Sequence, residues 1–266
     1  MADNLPRLAW TLRDGVALRR FMQGEGPGIV LLPPHGRGPG DFDALAPLLT
    51  QAGLRVIRPE PRGFGPSTGP LDSTLADLAQ DVAAAIEAEG AAPVVVAGTA
   101  YGNRVARMLA VLHPGLIRGL VLIAAGGRFP PSTGAAAALR LVQDPRAPIE
   151  HRAEAARAVL FGPGCTLTAA EMRLDDIAAD ALRAQPLDAI RCGPLNLWWP
   201  GGAVPMLVIQ GTHDVLAPPE NGRSLQRDFP DRVTLLELPD AGHRMVQECP
   251  ALVADAVRSW LQGLEP

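Results

Sequence analysis

The stretch Val94-Val95-Val96-Ala97-Gly98-Thr99-Ala100-Tyr101-Gly102-Asn103 decides the fold. It reads as a buried β-branched strand over Pro93–Ala97, then Gly-x-Ala-x-Gly, then a helix over Asn103–Leu112. The two glycines have a steric task. A strand that passes straight into a helix through this pattern is expected to turn sharply at the residue between them, with the glycines leaving room for the neighbouring strand and helix.

Working outward, strand signals recur at Gly28–Leu32, Leu54–Ile57, Gly119–Ala124, Val204–Gln210 and Val233–Leu238. Helical spacing fills Asp41–Ala52, Leu75–Glu89, Glu220–Asp228 and Cys249–Leu261. Apolar strands alternating with helices predict an α/β fold: a mostly parallel sheet with helices on both faces. Leu8–Leu12 and Val16–Phe21, joined through Asp14-Gly15, predict a leading hairpin. The alternation breaks between Gly126 and Gly202. Helical patches appear there at Ala135–Val142, Ala153–Leu160 and Ala169–Ala184, and no strand. The expected organisation is a core of residues 1–125 and 203–266 and a helical cap insertion, 126–202, over the carboxyl edge of the sheet. Within the insertion, Arg152–Arg157 alternates with Glu and is expected to be a solvated face.

The composition excludes several functions. The 266 residues carry a net charge of −4 with no basic stripe, against a nucleic-acid surface. Residues 1–20 show neither a leader peptide nor a spanning segment. Cys165, Cys192 and Cys249 are odd in number and far apart, which predicts reduced thiols and a cytoplasmic protein. No His-Glu-x-x-His and no pair of histidines four apart suggests a metal, and Gly36–Gly40 lacks the dinucleotide glycine pattern. No cofactor and no metal are expected. The expected partner is a small-molecule substrate, with no nucleic acid and no membrane; a homodimer stays open.

The chain resembles the α/β-hydrolase superfamily over nearly its whole length. Four motifs carry the resemblance, in the family's order. Leu31-Leu32-Pro33-Pro34-His35-Gly36-Arg37 looks like the oxyanion loop. Pro61-Arg62-Gly63-Phe64-Gly65-Pro66-Ser67 resembles the family's Arg-Gly-x-Gly-x-Ser stretch. The third is the stretch around Ala100, which matches the nucleophile elbow Gly-x-Ser-x-Gly. Gly211-Thr212-His213-Asp214 and Ala241-Gly242-His243 look like the acid and histidine loops.

The resemblance implies an α/β-hydrolase fold and acyl chemistry. His243 would be the base, Asp214 would orient it, and the N–H groups of Arg37 and Tyr101 would form the oxyanion hole. His35 and Gly36 would border the substrate. Trp198 and Trp199, just before the strand at Val204, are put forward as pocket wall, although paired tryptophans ordinarily pack. The departure is Ala100, which stands where the family has its nucleophile. Dehalogenase and epoxide hydrolase chemistry, which needs Asp there, is disfavoured.

Three readings stay open. One is a serine replaced to trap substrate. Another is a native alanine in an enzyme whose His243–Asp214 pair activates water. The last is a catalytically silent small-molecule binder. Asn103, where many relatives have glycine, is a second departure and favours a native alanine. The expected activity is on a small, mainly apolar ester, lactone or related acyl compound.

Overall fold

The computed structural model describes residues 5–185 and 189–264. Eight strands form one sheet in the order β1-β2-β4-β3-β5-β6-β7-β8. β1 (Arg7–Arg13) and β2 (Val16–Gln23) form the hairpin, with Gly15 at φ +71° in its turn. β2 also runs antiparallel to β4 (Arg55–Pro59). The rest is parallel: β3 (Gly28–Leu32), β5 (Val94–Thr99), β6 (Ile117–Ile123), β7 (Met206–Gly211) and β8 (Val233–Leu238). Every residue of β3, β5 and β7 is buried, as expected of strands covered on both faces.

Side chains alternate across the sheet and feed two cores. Val30, Leu32, Val94 and Val96 pack on one side with α2 (Leu75–Ala88) and α3 (Gly102–Leu112). Ile29, Leu31, Val95 and Ala97 pack on the other with α1 (Ala46–Gln51) and the C-terminal helix. Fully burying each of these Val, Leu and Ile side chains stabilises the fold by roughly 1.5–3 kcal/mol. α2 opens on a capping box: the Thr74 hydroxyl accepts from the Asp77 N–H, and the Asp77 carboxylate accepts from Thr74 N–H.

Between β6 and β7 lie α4 (Thr133–Gln143), α5 (Ile149–Leu160), α6 (Ala179–Ala184), α7 (Ala189–Cys192) and α8 (Leu195–Trp198). α4 and α5 pair around their own small core of Ala135, Val142, Ala156, Val159 and Leu160. α9 (Glu220–Asp228), α10 (Met245–Glu248) and α11 (Pro250–Gln262) complete the chain.

Three expectations need correcting. The helix expected over Asp41–Ala52 divides into one 3-10 turn, Pro39–Phe42, and α1, with Pro47 in the first turn of α1 where its missing N–H does no harm. The patch expected over Ala169–Ala184 is helical only in α6, because Arg173 sits at φ +51°, a conformation no α-helix holds. The Arg152–Arg157 face is not uniformly solvated. Arg152 is buried and donates to the carbonyls of Val142 and Leu174 while pairing with Asp175.

Candidate active site

The loops that leave β3, β5, β7 and β8 meet at the carboxyl edge of the sheet, where ligands of open α/β sheets bind. After β5 the chain turns at Ala100, whose φ is +48°. That is strained left-handed backbone for a residue with a β-carbon, so the turn survives only because its surroundings impose it. The surroundings are visible. A β-carbon on Gly98 would lie closer than 3 Å to the backbone of Gly102 and Asn103, and one on Gly102 would meet the backbone of Leu32 and Pro33 equally closely. Ala100 N–H donates to the Ile123 carbonyl at 3.0 Å. The Asn103 side-chain amide donates to the same carbonyl at 2.8 Å and to that of Ala124 at 3.1 Å. A glycine at position 103 could offer neither bond, so Asn103 ties this turn to the end of β6.

Asp214 follows β7 and is buried; its Oδ1 accepts from the N–H groups of Leu216 and Ala217 at 2.9 and 2.7 Å. Its two oxygens lie 3.0 and 2.9 Å from Nδ1 of His243. An ionised carboxylate only accepts, so Nδ1 carries the proton and Nε2 keeps its lone pair. The neighbouring His213 stands half exposed and is not part of this pair. The histidine loop is held from behind by Glu248, which accepts from the N–H groups of Gly162 and Gly242 at 2.7 and 2.8 Å.

A cavity of about 280 Å³ brings together Ala100, Tyr101, His243, His35 and Arg37. Most of its remaining wall is apolar: Leu139, Val142, Leu160 and Leu174 come from the β6–β7 stretch, Leu216 and Val246 from the acid and histidine loops. His35 lies 3.2 and 3.1 Å from the carbonyls of Leu182 and Gln185 through Nε2, which therefore carries the proton. Burial pushes its pKa down, which favours the neutral ring. Gly36 N–H donates to the Gln185 side chain at 2.7 Å.

Two placements differ from expectation. Arg37 N–H donates to the Pro34 carbonyl at 3.1 Å, closing a turn in which Gly36 takes φ +69°. Tyr101 N–H has no acceptor among the described residues. Trp198 and Trp199 do not line the cavity. They are buried against α3 and Gly127, lie on two adjacent sides of the Arg107 guanidinium at 4.7 and 5.1 Å, and Trp199 donates to Asp228 at 2.8 Å. A buried guanidinium without a carboxylate beside it needs such π-faces more than an apolar pocket does.

One group went unread in the sequence. Asp41 accepts from Arg37 Nε at 2.9 Å and from Arg244 Nη2 at 3.2 Å, while Arg244 also donates to the Met172 carbonyl at 2.7 Å. It thereby binds the loop after β3 to the histidine loop. The spacing of Arg37 and Asp41, four apart with opposite charge, is the signal that could have found it.

Comparisons with known proteins agree with the fold. Residues 29–256 match the family model for the alpha/beta hydrolase family. The chain is 35% identical over 128 residues to the 2-hydroxymuconate semialdehyde hydrolase of Pseudomonas sp. (strain CF600), a match spanning 44% of each protein. It is 26% identical to the mouse sn-1-specific diacylglycerol lipase ABHD11, across 96% of this chain and 85% of that one. The solved structure of Rv0554 from Mycobacterium tuberculosis superposes with a TM-score of 0.82 at 25% identity, covering 98% of this chain and all of that one. With the family model spanning most of its length and its sheet in the matching order, the chain belongs to the alpha/beta hydrolase family.

Proposed function

We propose that this protein acts on a small, mainly apolar ester, lactone or related acyl compound, with the reacting carbonyl over Ala100 and residues 126–202 as the cap. The observation that carries the reading is the His243–Asp214 pair, 2.9 Å apart, whose histidine lines the same cavity as Ala100.

Alanine has no oxygen to attack with, so the pair works on water. His243 Nε2 takes a proton from the water as its oxygen bonds to the acyl carbon. Asp214 holds the imidazole in the required tautomer and stabilises its charged form. The carbonyl oxygen gains the negative charge and is met by Tyr101 N–H. Arg37 N–H joins it by sharing or releasing its turn bond to Pro34. Collapse of the tetrahedral species returns the proton to the leaving oxygen. The second reading, a silent binder, draws on the same alanine, since a methyl group offers no nucleophile.

The test is hydrolysis of short p-nitrophenyl esters by this chain and by Ala100→Ser. Water-based catalysis predicts measurable turnover by the unaltered chain that His243→Ala abolishes. Ala100→Ser, which restores a nucleophile to an otherwise complete site, should raise kcat by about 10³-fold or more. Turnover by neither chain, alongside tight ligand binding, would establish the binder.

A further inference from the structure

The cavity has a charge asymmetry that the proposed chemistry does not use. Among the described residues, three arginines line it, Arg37, Arg104 and Arg244, and no Asp or Glu does. Arg37 and Arg244 share Asp41. Arg104 has no carboxylate partner among the described residues. Its Nη1 lies 3.6 Å from Cys192 Sγ, and its guanidinium sits 5.4 Å from the ring of Trp198. Among the described residues, the three lining guanidiniums face two partner carboxylates, Asp41 and Asp214, which leaves one net positive charge there before His243 takes up a proton, in a chain whose overall charge is −4.

Position makes the cation useful. Arg104 is four residues beyond Ala100, in the first turn of α3, and both line the same cavity. A substrate with its acyl carbon over Ala100 therefore also meets Arg104 in the cavity wall. Around it the charges are repulsive. Burial holds the fully buried Arg107 guanidinium down at about 9, and the positive charge of Arg104 pushes the same way on Arg107 and on His35. An anion at Arg104 would relieve all three.

We propose that Arg104 anchors a carboxylate at the non-reacting end of the substrate, so that the protein takes anionic acyl compounds, such as esters or lactones that also carry a free carboxylate. The proposal rests on the acyl-site reading above for which end reacts. A carboxylate fits better than a phosphate. One planar guanidinium fork matches it in two parallel hydrogen bonds, and a single net positive charge in an apolar cavity does not balance a dianion.

The test measures binding by calorimetry at pH 7.5 and low salt, with 4-phenylbutyrate and its neutral isostere 4-phenylbutanamide. The unaltered chain should bind the acid about tenfold more tightly than the amide, which is about 1.4 kcal/mol. Arg104→Gln should bring the ratio close to one, and His243→Gln should leave it in place. Equal affinities for acid and amide, no measurable binding of the acid, or a ratio that survives Arg104→Gln overturns the proposal. A ratio lost in His243→Gln but kept in Arg104→Gln also overturns it, by placing the anion at the base. The comparison on the unaltered chain needs no variant, so an Arg104→Gln chain that failed to fold would not shelter the idea. Neither does it need turnover, so a protein inert toward every ester still answers it.

Discussion

The turn at Ala100 and the helical stretch between β6 and β7 share one cavity but are held by opposite means. Around Ala100 the chain is positioned by an absence of side chains: Gly98 and Gly102 let backbone approach backbone, and all-apolar strands do the rest. In the β6–β7 stretch the chain is positioned by arginines, all but Arg173 buried, that donate to backbone carbonyls. Arg152 bonds Val142 and Leu174, Arg37 bonds Arg173, Arg173 bonds Gly40, and Arg244 bonds Met172. The first arrangement tolerates no added atom. The second tolerates a change of shape but not the loss of a donor.

The largest expected effect tests the first half of that contrast. Gly102→Val would drive a branched side chain into the backbone of Leu32 and Pro33. Backbone cannot rotate away as a side chain can, so β3 and α3 would have to part. The cost should exceed about 4 kcal/mol, enough to abolish cooperative thermal unfolding or the folded protein itself. A Gly102→Val protein whose stability by urea denaturation matched that of the unaltered one would refute the steric account.

Asp41→Asn comes next and tests the second half. It leaves two guanidiniums facing each other without a carboxylate, at an expected cost of about 3–5 kcal/mol. Its pH signature is specific. Burial pushes the Asp41 carboxyl up, but Arg244 and Arg37 together pull it further down, so it ends below the ordinary range. A depressed carboxylate contributes its full stability above the unfolded value near 4 and loses it as pH falls through the folded value. The unaltered protein should therefore lose stability on acidification below about pH 4. Across that range Asp41→Asn should show a shallower decline, measured by urea midpoints from about pH 6 to about pH 3. Parallel declines in both proteins would assign the acid sensitivity elsewhere.

Arg152→Met follows, keeping volume while removing every donor. The carbonyls of Val142 and Leu174 would lose their partner in a buried site, for about 2–3 kcal/mol. An isosteric apolar swap that proved neutral would show that water reaches these carbonyls and that the α4–α5 pair is held by its apolar core alone.

The same contrast explains what could be read in advance. Where geometry dictates residue type, the sequence speaks: only glycine fits at 98 and 102, and Asp214 and His243 stand in loops whose neighbours Gly211 and Gly242 are also pressed against backbone. The strand positions followed from the same cause, since a strand covered on both faces has to be apolar throughout. Arginine carries no such mark. Arg152 and Arg157 look alike in sequence, yet one is buried among carbonyls and the other is exposed. Which carbonyls need a donor depends on the packing of α4 against α5, which no local pattern reports. The tryptophans misled for a related reason. Their place before β7 was right, but the buried charge of Arg107 on the facing turn of α3 turned them inward.

The smallest effect separates the two regions most finely. Thr74 caps α2 under the sheet, and Ser132 caps α4 in the β6–β7 stretch; each hydroxyl accepts from the N–H three residues on, at 3.2 Å. Replacing either by alanine removes that bond, and at Thr74 also the hydroxyl's own bond to the exposed Asp77 carboxylate; each cap is worth about 1 kcal/mol. The two substitutions therefore probe where that energy is felt, not how large it is. α2 packs into the main core with Leu75, Leu78, Val82 and Ile86, so Thr74→Ala should lower the global unfolding free energy by the full amount. α4 joins only the small core it shares with α5, where local opening is cheaper than unfolding the sheet. Ser132→Ala should leave the global midpoint nearly still while speeding hydrogen exchange in α4 and α5 by about fivefold, the factor that about 1 kcal/mol gives. Equal shifts of the global midpoint by both would mean that the arginine ties of the second region are strong enough to make it unfold with the sheet, and the contrast between the two would lie in their construction alone.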